Sequence, residues 1–263
     1  MAASAQHAIK VLRDTHDRLF TFVASLEPDD LRRQSYCDDW NVAQVLSHIG
    51  SASEIGRASL LSALGGGEPF DQAAREALWD RWNAKSPDDQ AADAALADEG
   101  LVAEWEQIEP DRLESLRVPF FAGMEFGAVE SVSLVLGERA LHSWDVFVTF
   151  DPAARVDPEA VELLIDQVAR MVPWFGKAAQ WTGPESVAVH TTGPERDFTL
   201  RVGDAVSLEK GTATDGTAGA SLDLPAEAFL RLVYGRLDAE NVPAAMTSEG
   251  VDLGQLYQLF PGS

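Results

Sequence analysis

The sequence predicts an α+β multidomain protein: a helical bundle over about residues 1–153, then a smaller α+β domain over about 154–263 whose sheet is antiparallel or mixed. Three observations carry this. Apolar residues recur at helical spacing through roughly the first 150 residues. After "FDPAARVDPE" the texture changes, and from residue 185 short alternating runs separated by Gly, Asp and Pro read as strands and hairpins. Hydrophobic residues make up 46% of the 263, enough to build a core for each part.

The elements follow in order. Residues 5–26 carry Ile9, Leu12, His16, Leu19, Phe20 and Val23 on one helical face. "EPDD" at 27–30 breaks that run, and a short helical turn is expected at Leu31. Asn41 is a good N-cap with Gln44 at N3, a capping box, and Trp40 and Val45 form a hydrophobic staple. Val42, Val45, Leu46, Ile49 and Ile55 give this helix its apolar stripe, and "GGGEP" at 65–69 ends it. Residues 71–83 and 87–108 read as two more helices, and 109–124, with Pro110 and Pro119, as a loop. A last bundle helix spans about 126–149. Beyond the boundary, 157–176 reads as one helix. "SVAVHTT", "RDFTLRVG", "AVSLEKG" and "ASLDLP" read as strands, "PAEAFLRLVYGRL" as an amphipathic helix and "GQLYQLF" as a short final one.

Composition narrows the function classes. A net charge of −23 argues against nucleic acid and against an anionic membrane surface as partners, since both need clustered Lys and Arg. Cys37 is the single cysteine, so no intramolecular disulfide can form. The first twenty residues lack a basic segment followed by an apolar one, and no run of about 18 apolar residues exists to span a membrane. A cytoplasmic protein is expected, as monomer or homodimer, acting on small molecules.

One stretch carries chemistry. In "LGERALHSWDV", Glu138 and His142 stand four apart on a helix and share a face with Leu134, Val135 and Leu141. A carboxylate on a face turned into a bundle is costly to desolvate, and a metal ion held by both side chains relieves that cost. A third ligand must come from a facing helix, and His48, beside the apolar stripe of its own helix, is the natural candidate. Two histidines and one glutamate form a catalytic zinc set with an open fourth position. Hydrogen-bonded core histidines and solvated E-x-x-x-H pairs are also common, so these residues alone leave both readings open. His7 and His16 are alternative ligands, and His190 falls in an expected strand. Cys37 has no basic neighbour and is read as packing, as is Trp144. Asp145 is expected either to hydrogen-bond a ligand histidine or to anchor its helix to the C-terminal domain.

"WNVAQVLSHI" and "GERALHSWDV" resemble the two metal-binding motifs of the mycothiol-dependent maleylpyruvate isomerase family, in their order and separation. "LWDRWNAKSPDDQAADAAL" is also similar to that group, and the resemblance extends into the α+β tail. It implies a DinB-like four-helix bundle followed by the family's C-terminal domain. It implies a divalent metal, usually zinc, on His48, Glu138 and His142, and mycothiol as the thiol cosubstrate. It places Arg81, Trp82 and Asn83 near the thiol's sugar part. It makes Arg236, in "VYGR", the arginine that reaches the substrate, with Arg231 as the alternative. The expected enzyme is a mycothiol-dependent isomerase or S-transferase, in which a metal-bound thiolate adds to a small electrophile such as a maleylpyruvate-like substrate. The rivals are a metal-dependent hydrolase using the same ion to activate water, and a non-catalytic binding or regulatory protein stabilised by its metal.

Overall fold

In a computed structural model, residues 4–120, 123–211 and 219–262 are described. The chain divides into two compact units, Met1–Val156 and Asp157–Ser263.

The first unit is built on four long helices: α1 (Ala5–Val23), α2 (Val42–Ala63), α4 (Pro87–Glu106) and α6 (Ala128–Val148). Helix α2 packs on α4 and α6, and α1 packs on the same two, closing a ring. Helix α3 (Gln72–Asn83) lies against α2. The expected turn at Leu31 is a 3-10 turn over Asp30–Arg32. The starts of these helices are legible chemistry. Ser4, Asp71 and Ser86 accept backbone N–H bonds as N-caps, and Asn41 and Gln44 close the capping box ahead of α2. Leu19, Val45, Leu46, Ile49, Trp82 and Val146 belong to one core between the helices.

Residues 109–124 differ from the expected loop. A short helix α5 (Pro110–Ser115) is followed by β1 (Arg117–Pro119), which pairs antiparallel with β2 (Glu125–Gly127). Pro110 stands at the first helical position, where its missing N–H costs nothing, so it starts a helix instead of breaking one. Pro119 ends a two-stranded ribbon, where a lost donor is tolerated.

The second unit begins with α7 (Pro158–Leu164) and α8 (Val168–Phe175) instead of a single helix over 157–176. At the break, the Asp166 carboxylate accepts from Arg196 at 3.1 Å and from Lys210 at 2.9 Å, ion pairs that tie the connection to the sheet. The sheet has the order β5-β4-β3-β6-β7, from β3 (Ser186–Thr192), β4 (Arg196–Val202), β5 (Val206–Lys210), β6 (Ala220–Pro225) and β7 (Thr247–Glu249). Strands β3 and β6 run parallel and the other pairs antiparallel, so the sheet is mixed. Strand β7 was not expected, since three exposed residues carry no alternation to read. Helix α9 (Ala226–Val233) covers the sheet, with Phe229 stacked on Phe198, and α10 (Leu253–Leu259) ends the fold. Helix α9 stops earlier than its apolar pattern suggests. Gly235 adopts φ +72°, the left-handed turn that terminates helices, and the Arg236 N–H closes back on the Arg231 carbonyl.

Candidate metal centre

His48 lies in the second turn of α2, and Glu138 and His142 on one face of α6. The packing of α2 on α6 brings the three together across 90 positions of sequence. His48 Nε2 is 3.5 Å from Glu138 Oε2, and His142 Nε2 is 3.6 Å from the same oxygen. The two imidazole rings stand edge to face, 4.6 Å between centroids. Metal–ligand bonds of roughly 2.0–2.1 Å at a tetrahedral angle separate neighbouring ligand atoms by about 3.3–3.4 Å. Both histidine–glutamate separations are close to that spacing, all three donor atoms lie within 4.8 Å of one another, and two nitrogens with one oxygen suit a small divalent cation. Trp40 covers the pair of histidines, its ring 5.1 Å from His48 and 6.1 Å from His142.

The site is more open than its apolar neighbours suggested. The Glu138 side chain is 46% exposed and that of His48 34%, while only His142, at 10%, is well covered. Relief of a buried charge is thus a weaker argument for a metal than the convergence of the three donor atoms. Burial lowers the His48 imidazole below its ordinary range, favouring the neutral ring that can donate a lone pair. The protein surround pushes the Glu138 carboxyl up. Hydrogen bonds to His142 and His48 outweigh it and hold the group well below the usual carboxylate range.

Of the two contacts expected of Asp145, the one with a histidine is present. Asp145 is fully buried, and its Oδ2 lies 2.8 Å from His142 Nδ1. That pairing favours a ring proton on Nδ1 and turns Nε2 towards Glu138. Cys37, read from sequence as packing only, places Sγ 3.3 Å from the same Asp145 oxygen, and the Tyr36 N–H reaches the Asp145 carbonyl at 3.5 Å. The loop before α2 is thereby fastened to α6 beside the histidines. The Gln34 amide donates to the carbonyls of Cys37, at 2.7 Å, and Trp40, at 3.0 Å, which holds that loop in shape. Sequence alone gave no signal for the Cys37–Asp145 contact, which joins residues 108 apart.

The other candidates fall elsewhere. Trp82 is buried, with its indole N–H on Glu54 at 2.9 Å, and packs so closely that a Cβ at Gly50 would overlap the ring. Its place is in the core. Arg81 pairs with Glu54 at 2.7 Å and, like Asn83, is exposed on α3. His16 is bound by Asp98 at 2.8 Å and by Glu99 at 3.2 Å, away from the donor trio. His7 is exposed in the first turn of α1. His190 pairs with Asp197 at 2.9 Å. In the second unit, half-buried Arg236 follows α9 and donates to the Tyr234 carbonyl at 2.8 Å. Arg231 is fully buried, paired with Glu227 at 2.8 Å and donating to the carbonyls of Arg236 and Asn241, so its role is structural. Among the described residues, no helix is long and apolar enough to cross a membrane.

Comparison with known proteins follows the same lines. The family model for the mycothiol maleylpyruvate isomerase N-terminal domain matches residues 12–147. Two solved structures are similar: the crystal structure of the mycothiol-dependent maleylpyruvate isomerase and that of a histidine-to-alanine mutant of such an isomerase. They align at TM-scores of 0.67, with 12% and 13% identity, over 95% of this chain and 95% of theirs. At that identity the likeness is one of fold. No curated protein matches.

Proposed function

The chain belongs to the mycothiol maleylpyruvate isomerase family through its N-terminal domain, and we propose that it is a metal-dependent enzyme in which the thiol of mycothiol attacks a small electrophile. The observation that carries this is the convergence of His48 Nε2 and His142 Nε2 on Glu138 Oε2, at 3.5 and 3.6 Å. These three residues would hold a divalent cation, zinc being the ion best suited to two imidazoles and a carboxylate. A cation there supplies the positive charge that lets a thiol ionise near neutral pH.

The chain's own residues supply position. Asp145 keeps the His142 ring in the tautomer and orientation that point Nε2 at the centre. Trp40 stands beside both histidine rings. With an isomerisable substrate, sulfur bonds to an alkene carbon as the π pair moves into the conjugated carbonyl. The resulting single bond rotates, the pair returns, and the sulfur leaves. With a saturating proton on the neighbouring carbon instead, the thioether stays, and the reaction is S-transfer. Arg236 is assigned the substrate carboxylate, which a guanidinium meets in two parallel hydrogen bonds. Exposed Arg81 and Asn83 are assigned to the thiol, with Trp82 supporting α3 from within.

Two measurements test the reading. His48→Ala should abolish stoichiometric zinc uptake, and full retention would remove His48 from the ligand set. The zinc-loaded protein, offered mycothiol and a panel of conjugated carbonyl compounds and alkylating agents, should give isomerised or conjugated products by mass spectrometry. Turnover in water without thiol would favour a hydrolase using the same centre.

A further inference from the structure

Each of the four long helices sends one polar side chain to a common buried point: His16 from α1, Ser53 from α2, Asp98 from α4 and Arg139 from α6. Asp98 is fully buried. Its Oδ1 receives Arg139 Nη2 at 2.7 Å and Ser53 Oγ at 2.9 Å, and its Oδ2 lies 2.8 Å from His16 Nδ1. Arg139 Nη2 also donates to Ser53 Oγ at 2.9 Å. Arg139 Nε and Nη1 make no hydrogen bond to the described residues, so the directed contacts of this guanidinium are concentrated on Nη2.

Position makes the cluster relevant to the candidate centre. Arg139 follows Glu138 directly and precedes His142 by one turn, and Ser53 lies five residues after His48. The Arg139–Ser53 hydrogen bond therefore joins the two helices that carry the donor trio, close to where they carry it. A buried ion pair of this kind adds little net stability over a well-packed apolar pair. It does impose register. Sliding or rotating α6 against α2 and α4 would part the buried Arg139 charge from Asp98 and Ser53, whereas apolar contacts tolerate such a shift. A metal centre needs its ligands held to about half an ångström, a tolerance that apolar packing alone does not guarantee.

We infer that Asp98, Arg139 and Ser53 form a register clamp for the metal centre, with Arg139 and Ser53 as positioning residues acting through the backbones of α6 and α2. This rests on the proposed centre at His48, Glu138 and His142. It goes beyond it by assigning function to residues outside the donor trio.

The test uses the full chain, Ser53→Ala, and the charge-free pair Asp98→Asn with Arg139→Leu. Thermal unfolding of the metal-free proteins is measured first, then zinc affinity against a chromophoric chelator and the visible spectrum of the cobalt(II)-loaded proteins. The clamp predicts that zinc binds about 10–100-fold more weakly, that the cobalt bands shift, and that unfolding stays cooperative. A core truncation, Leu19→Ala, should lower the melting temperature and leave the cobalt bands in place. If the double variant fails to fold, Ser53→Ala decides alone. Wild-type affinity and an unshifted spectrum in Ser53→Ala would overturn the clamp, as would an equal shift in Leu19→Ala. A wild-type chain that takes up neither zinc nor cobalt would overturn the centre and the clamp together.

Discussion

Asp145 meets the Nδ1 of His142 at 2.8 Å while lying fully buried one turn further along the same helix. A carboxylate held there stiffens the ring and raises the basicity of the opposite nitrogen. Asp145→Asn keeps the shape and loses the charge, so zinc affinity should fall about 10–100-fold with the fold intact. Competition against a chelator of known affinity measures this. An unchanged constant would make Asp145 a helix anchor only.

Metal removal should weaken the protein without unfolding it. The bundle has an apolar core, with Leu46, Ile49 and Trp82 among its residues, and none of the donor trio belongs to it. Free zinc at about a hundred times its dissociation constant adds roughly 2.7 kcal/mol, which raises the melting temperature by about 5–10 °C. Calorimetry with and without EDTA reads the difference. Loss of the cooperative transition in EDTA would mean a structural metal.

Trp82 and Gly50 should prove to be stability positions. Gly50→Ala forces a methyl into the indole and should cost about 1–3 kcal/mol. Trp82→Ala should cost about 3–5 kcal/mol by urea unfolding. Arg81→Ala, on the exposed side of the same helix, should leave stability nearly unchanged and raise KM for mycothiol.

Acid should attack the buried clamp. Burial raises the Asp98 carboxyl, but Arg139, His16 and Ser53 outweigh it and hold the group below its ordinary value. A depressed folded pKa means that the unfolded chain takes up the proton first as pH falls. The stabilisation is complete above roughly pH 5 and is lost progressively below about pH 4. Asp98→Asn should cost about 3–5 kcal/mol at pH 7, because it strands the Arg139 charge, and should flatten the acid limb of the stability curve. Melting temperatures from pH 3 to 7 in both proteins check this.

Cys37 should behave as a support and not as a nucleophile. Its thiol is half-buried and directed at a carboxylate. Cys37→Ser keeps a donor towards Asp145 and should retain most turnover and zinc affinity. Abolished turnover with zinc still bound would give the thiol a chemical role.

Local chemistry made much of this readable beforehand. The Asn41–Gln44 capping box, the four-residue spacing of Glu138 and His142, and the apolar stripe beside His48 are properties of neighbours on one helix. What sequence left hidden depends on distant partners. Cys37 finds Asp145, and Asp98 finds Arg139, only because helices pack. The exposure of Glu138 depends on how far α6 is covered, which its own apolar neighbours do not report. The ribbon formed by β1 and β2 escaped notice because each strand has three residues. The break between α7 and α8 coincides with Asp166 reaching strands some thirty and forty-four positions away.

The 90 positions between His48 and Glu138 have a consequence for lifetime. An ion gripped at both ends ties off that stretch as a cross-link would, and the entropy of closing such a loop grows only slowly with its length. Helix α6 is the last of the four long helices of its unit along the chain and α2 the second, so a bound ion would tie the end of the unit back to its early part. Parting α6 from α2 would then require release of the ion, and an interaction absent from the folding transition state slows unfolding without speeding folding.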